Sequence, residues 1–539
     1  MTSNNTLIII NSNTDISLNL DNCKNYVYSI NNGTLVNDNA ISLNSYKKFH
    51  KIAFNIRNKY IEFVGNFNQY FKNNYNFHGK NLFYFTDVST KRTEYLKNYD
   101  YICHILMIKN ILKEKDINNI IYYNTPDEFI NIINSFSNVK KIILKKYFNK
   151  NFYWNKIIIR QLIYLFKLLF IKFISSFFFK KKIHIIKNYF FSTYPKNFQF
   201  SNHIKYGDFI KNESCYILSF LTDNVHQKIN LISFFKIIQK IKKDFNNKYI
   251  ISDCFINYSD IFFFIKINFK CLNFFQKKFI SQKIENIDFS QLIRCDIKNS
   301  YERVTRLSVI SLSYQRLAKQ IKHNSNFYYY LFEYPYGRML SLSFTKKNIN
   351  RIGFQHGPSG YLKMICFLSK EDNKYLYSNN LTPNLIMVED KISFEIYQLG
   401  LFKNLSIMKE IYRLNYLNKI NRTNLINNTH LIACGLHDGL MILRILIKSI
   451  KANKNINYIL KLHPKASNSK ILELVRDSKL ENLKIADNQI EYYLERIDKV
   501  YFSYTSVGNE AAFLGINNEI VYSDFKLNES VFCKEENFI

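Results

Sequence analysis

Tyr458-Ile459-Leu460-Lys461-Leu462-His463-Pro464 and Val500-Tyr501-Phe502-Ser503-Tyr504-Thr505-Ser506-Val507-Gly508-Asn509-Glu510 are the two stretches that decide how this chain reads. In each, an apolar run gives way to small or polar groups and then to a helical pattern. That is how a parallel strand delivers residues to the crevice at its carboxyl end. Both loops are therefore expected to face one site.

Their chemistry suits a phosphate. His463 precedes Pro464, whose φ is fixed, so the imidazole can be aimed to donate to an anionic oxygen. Thr505 and Ser506 offer hydroxyls. The amides of Val507 and Gly508 open a helical pattern over 509–514 that Gly515 ends, where the positive end of the helix attracts anions. Glu510, in the first turn, is in reach of a ribose diol. Taken singly, His-Pro is an ordinary loop dipeptide and a Ser/Thr pair an ordinary helix cap. Their occurrence in order, on consecutive strand ends, is what points to a nucleotide.

Around these stretches, 431–434 reads as a strand, Gly435-Leu436-His437-Asp438-Gly439 as a turn, 440–450 as a helix, 471–477 as a helix, and 483–485 and 519–522 as strands. This is a doubly wound domain over 430–539, its ligand edge formed by Gly435, His463 and Thr505-Ser506. Residues 417–429 are Asn-rich and without period, and read as a linker. Before it, 327–332, 351–354 and 385–388 read as strands, 392–399 as a helix stopped by Gly400, and 294–320 as helical. Strands are also expected at 190–195, 215–221 and 249–252, with a Lys-studded helix at 229–245, while 260–279 is left unassigned. Residues 1–150 form an N-terminal α/β region with strands at 7–10, 82–85, 120–123 and 142–144 and a helix starting at Pro126-Asp127. Alternation of strands with helices implies parallel α/β layers.

A chain of 539 residues with 47% hydrophobic content is long enough for two or three cores. The formal net charge of +33 is compatible with nucleic acid, an anionic membrane or acidic substrates, and equally with a coding bias toward Asn and Lys. No nucleic-acid-binding signature accompanies it. The nine cysteines are scattered, odd in number and without a C-x-x-C pair, which argues for a reducing compartment and against a structural zinc. The first residues lack a basic, then apolar, leader pattern, so a cytoplasmic location is expected. Within 151–185 lies a run of aliphatic and aromatic residues interrupted by Arg160, Lys167 and Lys172. It reads either as a basic helix on an anionic leaflet or as a buried inter-domain helix, and the three cations oppose a span.

Leu331-Phe332-Glu333, Gly353-Phe354-Gln355-His356-Gly357, Pro383-Asn384-Leu385-Ile386, Leu462-His463-Pro464 and Thr505-Ser506-Val507-Gly508-Asn509-Glu510-Ala511 follow one another in an order that resembles the GT-B glycosyltransferases of bacterial surface-carbohydrate synthesis (lipopolysaccharide O-antigen or capsule). The resemblance covers roughly 327–524. It implies two facing Rossmann-like domains with parallel sheets, the N-terminal one (186–416, enlarged by 1–150) holding the acceptor and the C-terminal one the nucleotide-sugar donor. It also implies inverting transfer without metal or cofactor. His-Pro with a Ser/Thr motif is similar to bacterial transferases that use CMP-activated sialic acid or Kdo, which implies a CMP-linked nonulosonic or ulosonic acid as donor and a lipid-linked or oligosaccharide acceptor. Those enzymes carry an acidic Asp-Gly base motif, whereas this chain has Glu333-Tyr334-Pro335. The base is then Glu333 or His356, with Gln355 and Arg338 on the acceptor side; Ser503, Thr505, Ser506 and His463 would attend the leaving phosphate. CDP-glycerol and CDP-ribitol phosphotransferases of teichoic-acid type share His-Gly and His-Pro loops and would use His356. An inactive protein that keeps the fold is the third reading.

Overall fold

The computed structural model describes the chain outside residues 1–4, 13–15, 18–23, 32, 34, 36–39, 73–75, 94–95, 147–152, 179–185, 194–205, 211–213, 220–248, 276–280, 346–347, 423–424, 465, 467 and 539. The helix expected at 229–245, one of the nine cysteines, Cys23, and Lys465, which follows the His463-Pro464 pair, lie outside the described residues.

Three parallel sheets, rather than two, carry the molecule. The N-terminal sheet runs in the order Ala40–Ser42, Asn25–Ser29, Thr6–Ile10, Asn119–Thr125, Lys140–Lys146. The central sheet has seven strands in the order Tyr249–Ile251, Ser214–Ser219, Asn188–Thr193, Asn326–Tyr330, Asn350–Phe354, Leu385–Val388, Leu405–Ile407. The C-terminal sheet runs Leu483–Ile485, Asn457–Lys461, Thr429–Ala433, Lys499–Phe502, Asn517–Ile520. In all three the first strand in sequence lies inside the sheet and the order reverses beside it, which is the doubly wound arrangement with a crevice at the carboxyl ends. The middle strands are apolar on both faces, as Thr6–Ile10 and Ser214–Ser219 show by being buried throughout.

The N-terminal sheet is the α/β region expected over 1–150: strands Thr6–Ile10, Asn119–Thr125 and Lys140–Lys146 match the runs at 7–10, 120–123 and 142–144, while the short strands Asn25–Ser29 and Ala40–Ser42, set among polar segments, were not anticipated. Residues 82–85, expected as a strand, instead form a 3-10 turn in which the Asn81 side chain accepts from the Phe83 amide at 3.0 Å. A four-residue run buried throughout, as Leu82–Phe85 is, carries no period that separates strand from turn. The run at 260–279 is settled as helix Tyr258–Phe275, and 294–320 as two helices, Ser290–Asn299 and Tyr301–Ala318.

The N-terminal and central sheets share one continuous core. Helix Tyr46–Asn66, started by a Ser45 cap, and helix Asn98–Glu114 lie in that core. Lys91 and Asp372, each only 1% exposed, form an ion pair of 2.9 Å across the junction. The C-terminal sheet has its own apolar layers on its two faces. The linker expected at 417–429 is less free than its composition suggests. Its start lies in the turn Tyr412–Lys419, where Leu414 and Leu417 are buried in the C-terminal core and the Arg413 guanidinium donates to both Glu389 oxygens at 2.6 and 2.8 Å.

After the last strand the chain returns to the N-terminal unit. The Tyr46 amide donates to Asp524 Oδ1 at 2.6 Å, and Phe538 stacks on His50 with ring centroids 4.9 Å apart. The tail thereby spans from the C-terminal sheet to helix Tyr46–Asn66.

Candidate functional site

The carboxyl ends of the central and C-terminal sheets face a shared cavity of about 330 Å3. The central sheet supplies His356, Gly357, Pro358 and Lys363 from the loop after Asn350–Phe354, and Tyr334 from the loop after Asn326–Tyr330. The C-terminal sheet supplies Leu436 and His437 after Thr429–Ala433, and Tyr504, Thr505 and Asn509 after Lys499–Phe502. Arg92 comes from the N-terminal unit, and Glu529 and Ser530 from the returning tail.

His356 is positioned by packing and backbone geometry. Its ring stacks on Tyr330 at 5.6 Å and meets the Tyr334 edge at 6.1 Å. Gly357 follows with φ +81°, a conformation that only glycine adopts without strain, and this turns the chain away behind the imidazole. Gln355 braces the same loop: its Nε2 donates to the Gly357 carbonyl at 2.9 Å and to Ser393 Oγ at 3.1 Å, and its Oε1 accepts from the Glu389 amide at 2.9 Å. Gln355 is thus buried behind the wall of the cavity. Lys363 donates to the Pro358 carbonyl at 2.6 Å, and the Arg92 guanidinium lies over the Tyr334 ring at 4.2 Å.

On the opposite wall, His437 is exposed in the turn that Asp438 organises. Asp438 is fully buried and its Oδ1 accepts from the Gly435 amide at 2.5 Å; a side chain at Gly435 would collide with that carboxylate. Burial pushes the Asp438 carboxyl up, against the opposing pull of the Gly435 and Tyr504 amides and Lys526. The Gly435 bond fixes the turn that carries His437, and the Tyr504 amide of the neighbouring loop lies close enough to act on the same carboxyl. Lys526 Nζ donates to the Tyr504 hydroxyl at 2.7 Å and lies over its ring, fixing Tyr504 at the rim.

The floor and one side are closed by the tail. Asn528 Nδ2 donates to the carbonyl and hydroxyl of Ser503 at 3.1 and 3.2 Å, and its backbone amide donates to His50 Nε2 at 3.1 Å. His50 Nδ1 faces the Tyr46 carbonyl at 2.8 Å and so must carry the proton, leaving Nε2 as acceptor. His104 donates from Nε2 to the Phe525 carbonyl at 3.0 Å and accepts the Tyr28 hydroxyl on Nδ1 at 2.9 Å. Burial lowers His50 to about 4 and His104 to about 3, which keeps both imidazoles neutral. Gly360 lets the tail approach, since a Cβ there would lie 2.0 Å from the Glu529 carbonyl oxygen.

Of the residues singled out in the sequence, His356 and Thr505 line the cavity together. The others stand elsewhere, each for a visible reason. Glu333 is buried in the central unit, where Oε1 accepts from the Tyr397 hydroxyl at 2.5 Å, and it does not line the cavity. Arg338 is buried and donates to the Tyr84 carbonyl at 3.0 Å and Ser89 Oγ at 2.7 Å, joining central and N-terminal units; burial lowers it to about 10. Ser503 is taken by Asn528. The Ser506 hydroxyl donates to Glu510 at 3.1 Å, and Glu510 is buried, its carboxyl raised by that burial against the pull of Tyr416, Ser506 and Arg413. It therefore does not reach outward for a ribose. The Gly508 amide donates to the Thr505 carbonyl at 3.3 Å, and a Cβ at Gly508 would lie 2.2 Å from the Phe502 ring, so this glycine serves packing of helix Val507–Phe513 on its strand. Val507 begins that helix and does not line the cavity. His463 and exposed Pro464 follow strand Asn457–Lys461 but stand outside the cavity lining, as does Gly435.

Arg92, Lys363, His437, Asn509 and Glu529 are cavity residues that were not singled out; Asn509 stands within the Thr505–Ala511 motif, and the other four have no motif around them. Of those four, His437 alone had a signal, its place in the turn directly after an apolar strand. The cavity can hold an anionic, oxygen-rich group between Arg92, Lys363 and two imidazoles, and either imidazole can move a proton. Among the described residues, no group of three or more His, Cys, Asp or Glu side chains is placed to hold a metal ion. The chain matches no protein-family model and no curated protein.

Proposed function

We propose that this cavity binds the phosphate of a nucleotide-activated donor and that the protein is a metal-independent, inverting glycosyltransferase of GT-B type acting in bacterial surface-glycan synthesis. The observation that carries the reading is the meeting of loops from the carboxyl ends of two doubly wound sheets around one cationic cavity. In such sheets the carboxyl edge beside the reversal of strand order is where nucleotides bind. The C-terminal wall, with His437, Thr505 and Asn509, takes the donor. Arg92 and Lys363 neutralise charge that develops on the departing phosphate, the role that pre-aimed cations fill in such transfers. His356, on the facing wall, is the base that takes the acceptor hydroxyl proton. By the resemblance in the sequence, the donor is a CMP-linked nonulosonic or ulosonic acid and the acceptor a lipid-linked or oligosaccharide glycan of lipopolysaccharide or capsule. No cofactor beyond the donor enters.

A second reading, a CDP-glycerol or CDP-ribitol phosphotransferase of teichoic-acid type, is favoured by one observation: His356 lines the cavity and Glu333 does not. In that chemistry the histidine is the base; the acceptor oxygen attacks the phosphorus that carries the alditol and CMP leaves by cleavage of the P–O–P bond, whereas glycosyl transfer releases the same CMP by cleavage of the bond between the anomeric carbon and oxygen.

Thermal-shift and calorimetric titrations with CMP, CDP, UDP and GDP test the binding reading. A ligand at about 100 times its Kd stabilises the folded state by about 2.7 kcal/mol. Cytidine nucleotides are expected to raise the melting temperature, and His437→Ala to remove the effect. Turnover of CMP-sugar, as against CDP-alditol, then separates the two enzymes. A chain that responds to no nucleotide is left with the third reading, a GT-B-like fold without activity.

A further inference from the structure

Helix Tyr153–Phe178 buries a stripe formed by Ile157, Tyr164, Leu168, Ile171 and Ile174 in the shared core. Its other side is apolar too, and it is exposed: Ile159 is 55%, Ile163 51%, Phe166 69% and Phe173 59% accessible. Beside it, helix Tyr258–Phe275 leaves Phe262 and Phe269 accessible at 73% and 69%. Between the two helices runs an apolar groove of about 290 Å3 whose walls include Leu162, Leu165, Ile265 and Leu272. A helix that is hydrophobic all round normally has a partner on every side. Here two adjacent helices each keep an apolar side accessible.

The charges on the same face select the partner. Lys156, Lys266 and Lys270 are exposed, and Lys266 stands one turn from both Phe262 and Phe269. Helix Tyr153–Phe178 contains no acidic residue, and the single acid of the other helix, Asp260, is buried and paired with Arg316. Every accessible charge on the two helices is therefore positive. The edge strand Lys140–Lys146, just ahead in sequence, repeats the theme with exposed Ile143 and Leu144 between exposed Lys141 and Lys145. A second copy of the chain would set cations against cations. Neither helix is long and apolar enough to cross a membrane. We infer that this face docks on an anionic lipid surface, with Phe262, Phe269 and Phe166 entering the headgroup boundary and the lysines meeting the lipid charge. Exposed aromatic residues rimmed by cations are the pattern of a helix lying in the interface.

The test is co-sedimentation of the full chain with vesicles of phosphatidylcholine, with and without phosphatidylglycerol, at low and high salt. Binding is expected only with phosphatidylglycerol, weakening as salt rises. Lys156→Gln with Lys266→Gln removes two surface cations and should lower partitioning roughly 30-fold. Phe262→Ser with Phe269→Ser should abolish binding without moving the melting temperature, since both rings lie at the surface. Lys51→Gln, an exposed lysine of helix Tyr46–Asn66, should change nothing. No sedimentation with anionic vesicles, or full binding by the Phe262→Ser, Phe269→Ser variant, overturns the proposal. So does a dimer of the parent chain in ultracentrifugation that this variant converts to monomer, which would make the face a self-interface.

Discussion

Replacing Asn528 by alanine should release the C-terminal tail and open the cavity while leaving the three sheets intact. The side chain is 1% exposed and makes three hydrogen bonds: two donated to Ser503, at 3.1 and 3.2 Å, and one accepted from the Ser530 amide at 2.9 Å. Each buried polar group that loses its partner is worth roughly 1–3 kcal/mol, and water can reach some of them once the tail lifts. Neighbouring losses do not add fully, so the sum is about 2–4 kcal/mol. At 1.4 kcal/mol per decade, the equilibrium for local opening rises roughly 30-fold to several-hundred-fold. The readout is hydrogen exchange of amides 525–538 against those of strands Thr429–Ala433 and Asn350–Phe354. Faster exchange confined to the tail is expected, together with weaker nucleotide binding, because Glu529 and Ser530 leave the cavity wall. Equal acceleration in the sheets, or a change below threefold in the tail, refutes the assignment of Asn528 as the tail's main anchor.

Three further outcomes follow from the same geometry. Lys91→Met leaves the Asp372 carboxylate buried without its cation, so chemical denaturation should show a loss of about 3–5 kcal/mol in the transition of the N-terminal and central units. Gly357→Ala meets no neighbouring atom, yet it forces φ +81° on an L side chain. That costs about 1–2 kcal/mol and tilts the loop, so calorimetry should find weaker ligand binding at nearly unchanged melting temperature. The neutral imidazole of His104, lowered to about 3 by burial, makes the fold acid-sensitive. Unfolded imidazoles take up protons below about 6.5 and the buried one does not. The stability it supports is therefore complete above pH 6.5 and drains as pH falls toward 3, by about 2 kcal/mol at pH 5. Asp100, pushed up to about 7 by burial beside the tail, slopes the other way, so the informative measurement is a difference. The melting temperature of His104→Gln should fall less steeply than that of the parent between pH 6.5 and 5, and parallel curves would rule the histidine out.

Much of the layer plan was legible from local pattern alone. Strands at 7–10, 120–123, 190–195, 215–221, 351–354, 385–388, 431–434 and 483–485 coincide with observed ones to within a few residues; where the strand is buried on both faces, as Thr6–Ile10 and Ser214–Ser219 are, it is written in the sequence as a continuous run. The turn of Gly435 and the loop of His356 could likewise be placed at strand ends. Fewer of the site's members could be found in this way. Thr505 and His356 are cavity residues because two strand ends far apart in sequence face each other, and His463, at an equally good strand end, is not.

Local pattern was enough to place the parallel α/β units and the loops at their carboxyl edges, because alternation of buried strand and amphipathic helix is a property of neighbouring residues. Tertiary structure alone decided which loops meet. The tail carrying Asn528, Glu529 and Ser530 gains its partners, Ser503 and His50, only by crossing between units, and His50 is 478 positions away in the chain. Glu333 was turned inward by Tyr397 and Glu510 by Ser506, both through side-chain bonds that no spacing rule encodes. The accessible face of helix Tyr153–Phe178 was settled the same way. An all-apolar helix has no stripe to read, so what the rest of the fold covers decides which side remains for a partner.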